Sequence, residues 1–68
     1  MISTTVNMNK VRELTTEKLW TFAELARRAK VSDATLYSLQ SNRRRASFLT
    51  VQKIATALNV DPSEIIKE

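Results

Sequence analysis

Apolar positions recur along most of this 68-residue chain at intervals of three and four, the spacing that puts side chains on one face of an α-helix. Met8, Val11 and Leu14 begin the pattern just after Asn7, a suitable N-cap. They predict a first helix of about three turns, ending near Lys18 and Leu19. The second start signal is a capping box, Thr21-Phe22-Ala23-Glu24, with Trp20 and Leu25 placed as a hydrophobic staple. Phe22, Leu25, Ala26 and Ala29 form one apolar stripe, and Glu24, Arg27 and Arg28 face away from it. A third helix comes almost at once, capped by Ser32 and stapled by Val31 and Leu36. Leu36 and Leu39 point inward, while Ala34, Tyr37, Ser38 and Ser41 share the opposite face. Asn42 stands where a left-handed residue would close that helix.

After a loop over residues 43–46, Ser47 caps a fourth helix whose expected buried stripe is Phe48, Val51, Ile54, Ala55 and Leu58, with Asn59 closing it. Asp61 at the N-cap, Pro62 at the first position and Glu64 at the third then predict a short fifth helix, with Val60 stapling Ile65. Residues 1–6 are rich in β-branched side chains and lack a helical period, so they read as an arm or a short extended strand. The expected architecture is all-α: five helices over residues 7–68, preceded by that arm.

Composition narrows what such a domain does. The chain has no Cys and no His, which removes disulfides and the usual zinc ligand sets. It has no Gly, which excludes phosphate-cradling glycine loops. No apolar run approaches the ~18 residues of a membrane span, and residues near the start show no signal-peptide core. Enzymatic activity is not expected, since the commonest bases and nucleophiles are missing and the acids are scattered. No metal, cofactor or small-molecule ligand is expected either.

Charge changes the picture more. Lys and Arg number 11 against 7 Asp and Glu, and the excess is local. Residues 21–45 hold Arg27, Arg28, Lys30, Arg43, Arg44 and Arg45 against only Glu24 and Asp33. A charge run can be no more than a solvated loop, but here it adjoins a particular arrangement. Two short helices joined by about three residues must cross steeply, as in a helix-turn-helix. Its second helix fits the major groove while the first lies across the backbone. Double-stranded DNA is the partner this points to, and the cytoplasm the expected location.

Thr21-Phe22-Ala23-Glu24-Leu25-Ala26, Ala29-Lys30-Val31-Ser32, Thr35-Leu36-Tyr37-Ser38-Leu39-Gln40 and Ile54-Ala55-Thr56-Ala57-Leu58 resemble the phage repressor and Cro type of helix-turn-helix domain, the XRE family. The resemblance spans roughly residues 8–66. It implies a five-helix, lambda-repressor-like DNA-binding domain acting as a dimeric transcriptional regulator, in the first instance a repressor. Carried over by position, it implies base reading by Asp33, Ala34 and Ser38, with Thr35 and Tyr37 at the backbone or groove edge. Asp33 can accept from cytosine N4, Ala34 can touch a thymine methyl and Ser38 can pair with several bases. Asp33 also has a plainer reading, an acid that suits the start of a helix. Asn42, Arg43, Arg44 and Arg45 would lie on phosphates, with Ser32, Ser41 and Ser47 nearby.

The departures from the family pattern are specific. Places that commonly hold Gly carry Leu19, Lys30, Asn42 and Asn59. Leu and Lys tolerate a left-handed backbone poorly, so either the chain is strained there by ~1–2 kcal/mol or the turns differ. A family ion pair between the first and third helices is replaced by neutral Thr15 and Gln40; losing both charges together is nearly neutral. Phe22 stands where the family often has a DNA-contacting Gln, and its place on the apolar stripe favours packing.

One recognition helix reads few base pairs, so a two-fold dimer on an inverted repeat is expected. Val60, Ile65 and Ile66 are the candidate interface, with Ile65 serving the protomer core through its staple and Ile66 the better contact. Ile66 also has a plainer reading, as a cap on the core. Leu49 and residues 2–6 are possible contributors. The competing function is an antitoxin-like or anti-activator module whose main partner is another protein.

Overall fold

The structure is a computed structural model that describes residues 3–41 and 45–66. Among these residues the elements run β1 (Ser3–Thr5), α1 (Met8–Glu17), α2 (Phe22–Ala29), α3 (Asp33–Ser41), β2 (Arg45–Ser47) and α4 (Phe48–Leu58), then one 3₁₀ turn, Pro62–Glu64. Asn42, Arg43 and Arg44 lie outside the described residues, and so does the helix closure expected at Asn42.

The caps that start the helices fall where the side chains predict them. The Asn7 side chain accepts from the Lys10 N–H at 3.2 Å, Thr21 from Glu24 at 3.1 Å, Ser32 from Thr35 at 3.1 Å and Ser47 from Thr50 at 3.3 Å. Each satisfies one N–H that the helix itself leaves without a partner. At the other ends, α1, α2 and α4 run into left-handed residues: Leu19 (φ 60°), Lys30 (φ 61°) and Asn59 (φ 60°). The strained alternative is therefore the one the chain adopts at Leu19 and Lys30.

The expected fifth helix is not formed. Among the described residues the fold has four α-helices and a single 3₁₀ turn. Asp61, Pro62 and Glu64 do make a complete capping box, so the start signal is genuine. Propagation is stopped by the next two residues. Ile65 is fully buried and its carbonyl accepts from the Asn7 N–H at 2.8 Å; Ile66 forms an antiparallel bridge with Val6. Burying Ile65 and pairing Ile66 take the backbone out of the helix, and this tertiary gain outweighs a helix too short to be stable alone.

The arm is a strand. β1 pairs antiparallel with β2, with Ser3 opposite Ser47, Thr4 opposite Ala46 and Thr5 opposite Arg45. The segment expected as a loop before α4 is thus partly extended. Leu25, Leu36, Ile54, Leu58, Ile65, Val6 and Val11 form the centre of the core. α4 packs against α2, β2 and the 3₁₀ turn, and α2 packs against α3. Trp20, Phe22, Val31 and Val60 lie half-buried at its margin, in line with their staple and stripe roles. Phe48 departs from its expected place: it is 57% exposed, because the stripe of α4 is completed by Val51, Ile54, Ala55 and Leu58 without it.

Candidate nucleic-acid interface

α2 and α3 are joined by Lys30, Val31 and Ser32 alone. The turn is held by two backbone bonds, Lys30 N–H to Arg27 O at 3.3 Å and Val31 N–H to Ala26 O at 3.0 Å. Leu36 and Leu39 anchor α3 in the core, which leaves its other face outward. On that face Asp33, Ala34 and Tyr37 are exposed, and Thr35 and Ser38 half-buried. Tyr37, at 61% exposure, is among the few large hydrophobic side chains exposed among the described residues. α3 thereby presents small polar groups and one phenol, without a Lys or Arg among its residues.

Ser32 and Thr35 are partly committed to the fold. The Ser32 hydroxyl accepts from the Thr35 N–H and lies 2.8 Å from the Thr35 hydroxyl. Ser47 does the same at the start of α4, accepting from Thr50 N–H with the Thr50 hydroxyl 3.1 Å away. Both caps leave backbone N–H groups at the starts of α3 and α4, where anions are favoured.

Along α2, Glu24 does not reach back to close its capping box. Its carboxylate pairs instead with Arg28 Nε at 2.6 Å and with Arg27. The hydrogen bond from Arg28, with Arg27 beside it, holds the Glu24 carboxyl below the usual carboxylate range.

Thr15 and Gln40, the positions where a charged pair is replaced, line one small cavity of about 250 Å³ with Arg12 and Phe22. Thr15 is 2% exposed and its hydroxyl donates to the Val11 carbonyl at 2.6 Å, so the buried oxygen is satisfied without an ionic partner. Phe22 is half-buried against the core. Of the candidate interface residues, Ile65 is buried within the chain, whereas Val60 and Ile66 keep part of their surface. Sequence reasoning missed Phe48 as a neighbour of Ile66, whereas Thr4 belongs to the arm named as a contributor. Phe48 and Thr4 line a mainly apolar groove of about 340 Å³ with Val51, Pro62 and Ile66. The i, i+3 stripe gave no sign that Phe48 would face out, whereas Thr4 lies in the segment whose β-branched residues mark it as an arm or short strand.

A short tight turn between two core-anchored helices, with the second helix face outward, defines a helix-turn-helix DNA-binding domain. The chain belongs to the Cro/C1-type HTH DNA-binding domain family, whose profile matches residues 10–67. Among solved structures, it is similar to the restriction-modification controller protein C.AhdI from Aeromonas hydrophila, at 28% identity and a TM-score of 0.74, over 82% of this chain and 85% of that one. No curated protein matches it. The protein is accordingly a transcriptional regulator of the Cro and repressor type that binds double-stranded DNA, and its family is a non-catalytic one. Among the described residues, no helix is long and apolar enough to cross a membrane.

Proposed function

We propose that the protein is a cytoplasmic repressor that binds an inverted repeat as a homodimer, each copy laying α3 in a major groove. The observation that carries this reading is the outward face of α3, small, polar and uncharged beyond Asp33, set beside a basic tract. Asp33, Ala34 and Ser38 read bases on this reading. Thr35 and Tyr37 meet the groove edge. Ser32, Ser41, Asn42, Arg43, Arg44, Arg45 and Ser47 hold the backbone, which fixes register but carries no base code. Residues 7–68 act as the DNA-binding domain, and residues 1–6 support it. The likeness to a restriction-modification controller supports a regulator of this compact kind.

The dimer contact lies at the edge where Val60 and Ile66 meet α4. Phe48, 57% exposed, lines the apolar groove with Ile66, and Leu49, the next residue of α4, is 58% exposed. Adjacent large apolar residues left in water favour association. Ile65 supports this edge from inside.

Selection of bound sequences from a random duplex pool tests the reading. The expected product is an inverted repeat with half-site centres about 10 bp apart. Ultracentrifugation on that site should give two copies per duplex, and Leu49→Glu or Ile66→Glu should reduce this to weak single-copy binding. An unenriched pool, or a motif without two-fold symmetry, overturns it.

A further inference from the structure

A second basic surface lies away from α3. A groove of about 610 Å³ runs between the C-terminal part of α2 and the middle of α4, lined by Trp20, Arg28, Ala29, Lys30, Lys53 and Ala57 among others. None of its lining residues belongs to α3 or to β2. A duplex lying on α3 therefore leaves it unaccounted for.

Its charge is largely uncompensated. Among the described residues, neither Lys30 nor Lys53 is in a salt bridge, and Glu24 is shared by Arg27 and Arg28. Lys30, just past α2, gains from the helix dipole there. Lys53 lies mid-helix in α4 and has no such reason to face two other cations.

Arg28 is held in advance. Its guanidinium carbon lies 4.5 Å from the Trp20 ring centroid, and its Nε donates to Glu24 at 2.6 Å. Lys18 Nζ lies 5.4 Å from the same ring. Stacking and one hydrogen bond fix the guanidinium plane, and its terminal nitrogens make no hydrogen bond among the described residues. A guanidinium so fixed loses little freedom when it takes a carboxylate. Beside it, the indole, Ala29 and Ala57 provide an apolar wall. Phosphodiesters alone would need only the cations. Cations next to an aromatic and two alanines suit carboxylates that alternate with an apolar side chain.

We propose that this groove docks an acidic, partly apolar segment of another protein while α3 faces DNA. Carboxylates pair with Arg28, Lys30 and Lys53, and an apolar side chain packs on Trp20.

Trp20 is the single tryptophan of the chain, so its emission reports on this groove. The probe is a synthetic peptide of repeated Asp-Asp-Leu units, with a Lys-Lys-Leu peptide as its counterpart. Titration of the full chain should give a saturable change in emission at a dissociation constant on the order of 10 µM, weakening with salt. Lys53 is exposed, so Lys53→Glu should fold and should weaken the acidic peptide by about tenfold or more. The Lys-Lys-Leu peptide should leave the emission unchanged. An unresponsive Trp20, or a Lys53→Glu protein that binds the peptide as tightly, overturns the proposal. So does random duplex DNA that shifts Trp20 emission and displaces the peptide, since the groove would then be a phosphate site.

Discussion

Leu19 and Asn59 hold the same backbone conformation, φ 60° each, at the same place in the same hydrogen-bonded turn. After α4, the Asn59 N–H donates to Thr56 O and the Val60 N–H to Ala55 O; after α1, the Leu19 N–H donates to Thr16 O and the Trp20 N–H to Thr15 O. Lys30 repeats the pattern after α2. These are Schellman closures, normally the province of Gly. Asn tolerates them; Leu does not. Leu19 is also 91% exposed, so its side chain returns little packing. Leu19→Gly should therefore stabilise the protein by about 1 kcal/mol, raising Tm by about 4–8 °C. Asn59→Gly should change it by only a few tenths. Thermal denaturation by circular dichroism checks both; a lower Tm for Leu19→Gly would refute the strain.

DNA affinity should fall steeply with salt. If a dimer contacts about six to eight phosphates, the log–log slope is near −5 to −7. Arg44→Ala or Arg45→Ala should weaken specific and random duplexes alike and flatten the slope by about 1 for each copy's lost contact. Asp33→Ala or Ser38→Ala should instead alter preference at one base pair by about 1–3 kcal/mol. Fluorescence anisotropy on a panel of single-base variants separates the two behaviours. The reverse outcome would move the reading face off α3.

Acid should destabilise the fold through Glu24 and Asp61. Arg28 lowers the carboxyl of Glu24, and the Ser63 N–H, 3.0 Å from Asp61 Oδ1, lowers that of Asp61. A group whose pKa is depressed on folding binds fewer protons in the native state. Its contribution is present above the unfolded carboxylate value of about 4 and is lost as pH falls through the lower folded value. Tm should thus decline below about pH 5. Glu24→Gln should make the decline shallower while leaving DNA binding at neutral pH nearly unchanged. Melting curves across that range provide the measurement.

Much of this molecule was legible because its signals are local. Asn7, Thr21, Ser32, Ser47 and Asp61 each cap their own element, and Leu25, Ala26, Leu36, Leu39, Ile54 and Leu58 fill the core where their spacing puts them. What was illegible depends on partners far along the chain. The last residues carry a helix start, but Ile65 and Ile66 answer to Asn7 and Val6 instead. Phe48 sits in step with the apolar stripe, yet it is exposed while Val51, Ile54, Ala55 and Leu58 are buried. Spacing also carried the outward face of α3; at β2 the sequence predicts a loop, although β-branched composition marks its partner β1 as an arm or extended strand.

That strand suggests a further test. Thr5 lies opposite Arg45, the last arginine of the basic tract, and Ser3 opposite the α4 cap Ser47. Deleting residues 1–5 removes three cross-strand pairs, and should cost about 1–2 kcal/mol of stability. It should also weaken DNA binding, since the tract then lacks its neighbour on one side. Chemical denaturation and gel-shift titration together check this; unchanged affinity would show that the tract needs no such support.

The bond from Asn7 to Ile65, with the Val6–Ile66 bridge beside it, joins two stretches nearly sixty residues apart. Ile65 is also a fully buried piece of the core. During synthesis, α1 to α4 can emerge from the ribosome and coil individually, but the centre has a hole where Ile65 belongs. The segment around Val6 waits unpaired at its outer end until the last turn is made. Closing so long a loop is entropically costly and is repaid only at the end. A nascent chain should therefore remain loosely formed until Ile65 and Ile66 are available, and competence for DNA should arrive abruptly with that closure rather than grow helix by helix.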